Sequence, residues 1–223
     1  MTSTLLKLTL QPQSPFITPL ASDTLFGQLC WAIRHRFGEA KLTQLLDGYT
    51  ESQPFAVLST PLPHDYLPRP TVPLHLLGFD LSDATKRKDT KKQLWLKTSS
   101  DSALLGQPIS AWHSHSASLG EMIAKDTSQK AISNAWQKTV TQSHNSINRL
   151  TNTTGSENGF APFSMEATHY HPQSAFYDLY VVLDESRLNQ ADLMAALADI
   201  GAFGYGKEAS TGAGKFTVSD CHA

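Results

Sequence analysis

The stretch Phe176–Leu183 reads FYDLYVVL, and the sequence NQADLMAALADI follows it from Asn189 onward. Aromatic and β-branched residues dominate the first stretch, and this composition is typical of a strand. In the second stretch, leucine and isoleucine recur at helical spacing, and Asn189 with Asp192 forms a partial capping box. We therefore predict a strand over Phe176–Leu183 and a helix over Asn189–Ile200 that ends at Gly201.

A glycine-rich segment, Gly204–Phe216, follows this helix and leads into a predicted last strand, Lys215–Val218. Glycine lets backbone amides approach an anion, and successive amides can form an anion-binding nest. Lysine and hydroxyl side chains would add contacts to a phosphate backbone, and Tyr205 would stack on a base. The alternative is a flexible connector. The residues predicted to bind RNA here are Gly204, Tyr205, Gly206, Lys207, Ser210, Thr211, Gly212, Gly214 and Lys215.

Two nucleotide-binding motifs almost match this segment. Gly201–Lys207 spells the GxxxxGK of a P-loop, but Glu208 stands where that motif needs a Ser or Thr hydroxyl for magnesium. The dinucleotide fingerprint, which Gly204–Ala209 imitates, also has the wrong context, because both motifs follow a strand and open a helix. The segment therefore predicts no nucleotide cofactor, and we expect no cofactor of any kind.

The start of the chain repeats the strand-then-helix order. Leu5–Leu10 alternates leucine with lysine and threonine, which indicates a half-buried strand. Ser22 is a favourable N-cap, so we predict a helix over Ser22–Phe37 that ends at Gly38. A second, short helix is predicted over Lys41–Leu46.

The region between these two halves, residues 52–173, is rich in Pro, Ser, Thr and Asn. We predict an elaborated insertion of short strands and loops, with a helix over Gly120–Val140 and a loop over Thr139–Asn158. The whole order predicts an α+β fold in a single domain over residues 1–223. Its expected form is ferredoxin-like (RRM-like) βαββαβ, one antiparallel sheet with two helices on one face.

Composition excludes several protein classes. The net charge of −2 argues against a generally basic nucleic-acid coat, so any RNA surface must be local. The two cysteines, Cys30 and Cys221, form no CxxC pair and are expected to be free thiols in a reducing cytoplasm. Two pairs of histidines are spaced two residues apart, His113 with His115 and His169 with His171. Neither pair has a cysteine or carboxylate cluster beside it, so no metal site is predicted. No apolar run is long enough to span a membrane, and we expect no membrane partner.

Several segments resemble, in order, a known family. The string SDTLFGQLC at Ser22–Cys30 is similar to the first helix of the fourth subunit of Csm complexes, a RAMP-superfamily protein of the Cas-five-like group. The further matching segments are Pro54-Phe55, Leu67–Pro70, Lys91-Lys92 before Trp95-Leu96, Asn145–Arg149 and the glycine-rich segment Gly204–Phe216.

This resemblance implies a non-catalytic subunit of a type III-A CRISPR effector complex for antiviral defence. Such a subunit holds the 5′ repeat-derived handle of the crRNA, docks on the large Cas-ten subunit and contacts a Csm backbone subunit. Family members continue into a second small domain, which we expect to be missing here. In this context the predicted RNA contacts extend to Ser22, Arg69, Lys88, Lys91, Lys92 and Arg149.

The alternative is an enzyme, a Cas-six-like endoribonuclease that cuts CRISPR repeat RNA without a metal. Such enzymes also carry a glycine-rich loop and use a histidine as general acid or base. His35, between Arg34 and Arg36, would be that residue. The Ser22–Cys30 and Leu67–Pro70 strings favour the Csm-like interpretation.

Overall fold

The computed structural model of the chain describes residues 3–82, 86–98, 104–118, 137–155, 161–171 and 175–222. Most of the predicted helix Gly120–Val140 lies outside these ranges. The strands are β1 Ser3–Pro12, β2 Ala56–Leu58, β3 Leu62–Pro63, β4 Tyr66–Pro68, β5 Trp95–Lys97, β6 Ser116–Ala117, β7 Gln137–His144, β8 Phe163–Tyr170, β9 Tyr177–Asp184 and β10 Phe216–His222. The α-helices are α1 Ser22–Phe37, α2 Glu39–Leu46, α3 Lys86–Lys92 and α4 Gln190–Phe203.

The main sheet has the strand order β10-β1-β9-β2, and β3 also pairs with β9. All of its pairings are antiparallel, with Leu6 opposite Val181 and Leu10 opposite Val218. The three strands predicted from the two ends of the chain therefore lie in one antiparallel sheet. This confirms the α+β class.

One face of this sheet holds the core. Alternation in β1 places Leu6, Leu8 and Leu10 on the buried side, where they pack with apolar residues of α1 and α4. Burying a leucine side chain contributes roughly 1.5–3 kcal/mol, so these helices are held mainly by their apolar stripes. A Cβ at Gly201 would lie 2.1 Å from the carbonyl oxygen of Phe216. A glycine there lets α4 approach β10 closely.

The helix ends follow the predictions only in part. The predicted cap of α4 is confirmed, because the Asn189 side chain accepts a hydrogen bond from the Asp192 amide at 2.8 Å. The helix continues past Gly201 and ends at Phe203, so the predicted end is wrong. At α1 the N-cap is Ala21 and no side chain caps the helix, so the capping role predicted for Ser22 is also wrong.

The region 52–173 was predicted as an insertion, but its strands β2 and β3 belong to the main sheet. The rest of this region forms two smaller sheets. Strands β4, β5 and β6 make a three-stranded sheet, and β7 and β8 make a two-stranded ribbon. The loop predicted over Thr139–Asn158 is wrong in its first six residues, since β7 runs to His144, and is confirmed over the described residues 145–155. The side chains of β7 are mostly exposed on both faces, so the alternating pattern that reveals a strand is absent. The ribbon joins the rest of the chain through a bridge between Phe16 and Thr168. None of the helices in the described ranges has the length and apolar character of a membrane span.

Candidate RNA-binding surface

The glycine-rich segment, hereafter the glycine loop, is anchored by Tyr205. This side chain is completely buried, and its hydroxyl donates to the Pro19 carbonyl at 2.9 Å and accepts from the Ala21 amide at 3.1 Å. Its ring lies 5.8 Å from that of Phe16, and burial raises the pKa of its hydroxyl. The stacking role predicted for Tyr205 is wrong in this conformation, because the ring has no exposed face.

Much of the loop backbone is already hydrogen bonded to the chain segment that follows β1. Four loop amides donate hydrogen bonds within the protein, each 2.8 Å long. The bonds run from Tyr205 to the Gly214 carbonyl, from Gly214 to the Pro15 carbonyl, from Lys207 to Thr18 Oγ1 and from Lys215 to Ser14 Oγ. An amide that donates inside the protein is not available to an anion. The predicted anion nest is therefore wrong for these four positions.

Three of the loop glycines are required by close packing, and a Cβ at the first of them, Gly204, would lie 2.5 Å from the carbonyl oxygen of Ala213. A Cβ at Gly214 would lie 2.1 Å from the carbonyl oxygen of Tyr205, and one at Gly206 would lie 2.5 Å from Thr18. Gly212 differs, since a Cβ there would meet nothing within 4 Å. The glycine content that suggested phosphate binding is explained in part by the fit of the loop against residues 14–18.

The side chains of the loop offer the exposed polar groups. Lys207, Ser210, Thr211 and Lys215 are exposed, whereas Gly204, Gly206 and Gly212 are half-buried and Gly214 is buried. The Thr211 hydroxyl donates to the Glu208 carbonyl at 2.9 Å. Because Tyr205 bonds to Ala21, the loop lies beside the start of α1, where Ser22 is half-buried. The structure thus brings the predicted loop residues and Ser22 together.

Arg69 and the lysines of α3 form a second group. The Arg69 guanidinium donates to the Thr90 carbonyl at 3.0 Å and lies 5.5 Å from the ring centre of Phe79. Its partial burial lowers its pKa, and these contacts make it a packing residue of the insertion. The lysines Lys88, Lys91 and Lys92 are exposed, and Lys92 pairs with Asp89 at 3.2 Å.

Arg149 lies apart from both groups, in an exposed turn between β7 and β8. The ribbon is tied to the body at Thr168, and Phe163 at its far end is five residues along β8. At ~3.3 Å per residue the ribbon extends roughly 16 Å beyond that bridge. Predicted contacts of one RNA-binding surface are therefore distributed over three groups.

The opposite face of the main sheet carries a charged cluster that the sequence analysis missed. The Asp178 side chain is completely buried, and its carboxylate lies 2.7 Å from His64 Nδ1 and 3.0 Å from Lys7 Nζ. It also accepts from the Asp65 amide at 2.8 Å, and the Asp65 carboxylate lies 2.9 Å from Lys7 Nζ. An aspartate inside the otherwise apolar strand FYDLYVVL was the available signal, because aspartate is depleted in strands.

These contacts shift the ionisation of all three partners. The hydrogen bond to Asp178 raises the pKa of His64 above its usual value. Burial alone would raise the pKa of Asp178, but its hydrogen bonds outweigh burial and the pKa lies below the usual range. Burial would lower the pKa of Lys7, and its carboxylate partners raise it instead.

His64, Asp65 and Asp178 could in principle hold a metal ion, since each offers a ligand atom and these atoms lie within 4.8 Å of one another. The Lys7 ammonium, however, lies within 3.0 Å of both carboxylates and takes the position of a cation. The donor set is therefore satisfied as an ion-pair network, and it does not suit a metal.

His35, the candidate of the ribonuclease alternative, is exposed near the end of α1. Its ring stacks on Trp31 with 5.8 Å between centroids and 26° between planes. Within the described residues, no hydrogen bond or ion pair of this imidazole is found. The geometry around His35 gives no orienting partner of the kind that a general acid or base has.

No protein-family model and no curated protein matches the chain. Solved structures do. A chain of the Csm1-Csm4 cassette in complex with AMPPNP matches with a TM-score of 0.57 and 18% identity, over 98% of this chain and 71% of that one. A chain of the Csm3-Csm4 subcomplex in the type III-A CRISPR-Cas interference complex matches with a TM-score of 0.56 and 14% identity, over 97% and 70% of the two chains.

Csm4 is the component that these two assemblies share. At sequence identities of 14–18% the match shows a shared fold, and it extends over nearly the whole of this chain. The same subunit was indicated independently by the sequence segments from Ser22–Cys30 to Gly204–Phe216. The chain therefore has the fold of the Csm4 component that these two assemblies share.

Proposed function

We propose that the protein is a non-catalytic, RNA-binding subunit of a type III CRISPR effector complex. In this proposal it holds the 5′ repeat-derived handle of the crRNA and docks the large Cas-ten subunit, and it contacts a Csm backbone subunit. The observation that carries the proposal is the fold match to chains of both a Csm1-Csm4 and a Csm3-Csm4 assembly. The match to the Csm1-Csm4 cassette supports a large-subunit partner, and the match to the Csm3-Csm4 subcomplex supports a backbone-subunit partner.

We also infer that the main sheet is ferredoxin-like. One helix follows the first strand and one precedes the last, and the sheet order β10-β1-β9-β2 has the first and third strands of this βαββαβ unit at its centre. RNA-recognition domains use this arrangement. The inference treats everything between β2 and β9 as an insertion into the unit.

The RNA contact that we propose at the glycine loop is made by side chains. Lys207 and Lys215 are exposed, and the backbone amide of each donates a hydrogen bond to a hydroxyl in the segment after β1, which fixes their backbones. A fixed backbone limits the space that each exposed ammonium group explores, so less entropy is lost when the group meets a phosphate oxygen. The hydroxyl of Ser210 lies exposed between them in sequence and can donate to the same backbone.

Salt dependence of binding tests this contact. A labelled handle RNA is titrated with the protein and with a Lys207→Ala, Lys215→Ala double variant at several salt concentrations. On a single strand, each neutralised phosphate contributes about −0.7 to the slope of log binding constant against log salt concentration. The slope of the double variant should therefore be less steep by roughly 1 to 2.

A matched control removes the same charge elsewhere. Lys97 and Lys138 are exposed and lie outside the predicted site, so Lys97→Ala, Lys138→Ala should leave the slope unchanged. Equal losses in both double variants would mean that only net charge matters, and the proposed contact would be rejected. Handle RNA that fails to bind at low salt would contradict the proposed function itself.

A further inference from the structure

Phe16 belongs to the stretch of residues 13–19, which follows β1 and bonds to the glycine loop. The backbone of Phe16 itself pairs with β8 of the ribbon. Its amide donates to the Thr168 carbonyl at 2.9 Å, and its carbonyl accepts from the Thr168 amide at 2.8 Å. One residue earlier, the Pro15 carbonyl accepts from the Gly214 amide of the loop at 2.8 Å. Adjacent residues of one short stretch therefore hold the ribbon and the glycine loop.

The Phe16 side chain repeats this double contact. Its ring is 1% exposed, and it lies 5.8 Å from the Tyr205 ring of the loop and 5.3 Å from the Tyr170 ring at the end of β8. Tyr170 in turn meets Tyr177 of β9 edge to face, with 5.5 Å between the ring centroids. Four aromatic rings thus form a continuous chain of contacts from the glycine loop through the ribbon to the main sheet. Aromatic pairs prefer particular geometries, so this chain favours one position of the ribbon relative to the loop.

The ribbon depends on such an attachment, because a two-stranded hairpin alone is marginally stable in water. Met165 and Ala167 of β8 are buried and add to the attachment, whereas the side chains of β7 are mostly exposed. The far end of the ribbon, where Arg149 lies, extends roughly 16 Å beyond the bridge to Phe16 at ~3.3 Å per residue. Any rotation of the ribbon about this bridge is magnified over that length.

Exposed cations lie at both ends of this connection. Lys207 and Lys215 are on the glycine loop, and Arg149 is in the turn of the ribbon. Two contacts to one RNA strand reinforce each other when they are held at a fixed separation, because the second contact then forms at a high effective concentration. A ribbon that rotates loses this gain, and ordering it on binding costs entropy. The attachment at Phe16 therefore affects RNA affinity through the contact at Arg149.

We propose that Phe16 is a positioning residue of the RNA site. It fixes the ribbon relative to the glycine loop, so that one strand of handle RNA meets Lys207, Lys215 and Arg149 together. Phe16 is buried and acts only through its neighbours. This inference rests on the proposed function, because the RNA strand that meets both elements is the handle RNA of that proposal.

Two proline substitutions at opposite positions of the ribbon test the inference. Because Thr168 turns its amide and carbonyl towards Phe16, it faces Thr139 of β7 as a non-hydrogen-bonded pair, and both amides point out of the ribbon. Thr168→Pro therefore removes the amide that bonds to Phe16 and spares the hydrogen bonds between β7 and β8. Thr139→Pro is the matched control, since its amide points away from β8.

The measured quantity is the ratio of dissociation constants for handle RNA with and without Arg149→Ala. This change should weaken binding by about threefold to tenfold in the wild type and in Thr139→Pro, as loss of a charge-assisted contact does. In Thr168→Pro the same change should weaken binding by less than about twofold, because the ribbon no longer holds Arg149 at the RNA.

Lys207→Ala is measured in the same three backgrounds and should weaken binding equally in all of them. A smaller folded fraction would lower every affinity and leave both ratios unchanged, so the ratios separate positioning from stability. Tyr170→Leu is a second, milder variant, which removes a ring contact between the ribbon and Phe16 and keeps the contact between Phe16 and Tyr205. It should also lower the effect of Arg149→Ala, and it decides the matter if Thr168→Pro does not fold.

The outcomes distinguish this inference from the function on which it rests. Wild-type chain that does not bind handle RNA at low salt contradicts the proposed function. Wild-type chain that binds, with the same effect of Arg149→Ala in Thr168→Pro, Tyr170→Leu and Thr139→Pro, overturns the positioning role alone. An Arg149→Ala variant that binds like the wild type also overturns it, since the ribbon then makes no contact for Phe16 to position.

Discussion

Asp178 is an aspartate in the central region of an apolar strand, and three donors keep it ionised there. His64, the Asp65 amide and Lys7 surround its carboxylate, so the burial that would otherwise favour the neutral acid is outweighed. Asp178 is the buried member of this network, whereas Lys7, Asp65 and His64 are 28%, 39% and 43% exposed, so solvent screens the charges of these three partners. The cluster holds the turn at His64 and Asp65 against the face of the sheet that the helices leave open.

The free energy of unfolding should depend on pH through His64. Because the folded protein holds this proton more tightly, His64 stabilises the fold fully below about pH 6.5 and loses this effect as pH rises through its higher folded pKa. The side chain is 43% exposed. We therefore expect a contribution of only about 1 kcal/mol. Urea unfolding of the wild type and of His64→Gln from about pH 5 to 9 measures the contribution as the difference between them.

That difference should be largest at the acidic end of the range and should shrink towards the alkaline end. If the free energies of unfolding of the two proteins depend on pH in the same way, protonation of His64 is not coupled to folding. Below about pH 3.9 a second loss is expected in the wild type, because the Asp178 carboxylate, whose pKa its hydrogen bonds lower in spite of burial, stabilises the fold only while it is ionised.

Single-residue roles were the hardest to predict from sequence. Tyr205 carries an aromatic ring that could stack on a base, but this ring packs in the core. Nothing in the local sequence distinguishes stacking on RNA from packing in the core. Ser22 has the chemistry of an N-cap, yet Ala21 takes that position because its backbone is held by the Tyr205 hydroxyl. Both outcomes depend on contacts between residues more than 180 positions apart.

At the scale of elements, the glycine loop is a packed connection between α4 and β10. It bonds to residues 14–18 and to its own carbonyls, so its conformation is set by neighbours on both sides. Gly214 and Gly212 both have positive φ, +73° and +98°. Only Gly214 lies against another backbone atom.

This contrast predicts two different losses of stability. Gly212→Ala should cost about 1–2 kcal/mol, the strain of a side chain at positive φ. Gly214→Ala should cost roughly 1–3 kcal/mol more, because its Cβ must also displace the Tyr205 carbonyl. Urea denaturation at one pH compares the two variants. Equal losses would mean that the loop relaxes freely at Gly214, and the tight packing inferred for it would be wrong.

Elements with a buried face were predictable and exposed ones were not. The strands β1 and β9 and the helices α1 and α4 each carry an apolar stripe or alternation, and each was predicted close to its observed bounds. The last strand was predicted to end at Val218, whereas β10 runs from Phe216 to His222. Strand β7 has mostly exposed side chains, and its pairing with β8 is set by backbone bonds that leave no apolar pattern in the sequence.

At the scale of the whole molecule, two of the described histidines bear on the ribonuclease alternative. His35 is exposed without an orienting partner, and His64 is tied to Asp178 in a network with Lys7. A metal-independent ribonuclease needs a group that moves a proton in the transition state, and such a group typically contributes about 10²–10⁴-fold in rate. Neither histidine is paired with a second free acid or base in the part of the chain that is described.

We therefore expect no cleavage of CRISPR repeat RNA by the purified protein in the presence of a chelator. Gel analysis of a labelled repeat over hours measures this, with His35→Ala and His64→Ala as the matched variants. Cleavage that disappears in His35→Ala would establish the Cas-six-like alternative. Cleavage that disappears only in His64→Ala would assign catalysis to the cluster at Asp178.

The antiparallel order of the main sheet has a consequence for protein synthesis. Strand β1 lies inside the sheet, and its partner β9 follows about 175 residues later. At ~5–20 residues per second, β9 leaves the ribosome roughly 10–35 s after β1. During that interval the leucine-rich strand has neither of its sheet neighbours, so it must wait as an unpaired apolar segment. Nascent chains of this protein should therefore depend on holding chaperones until β9 and β10 have been made.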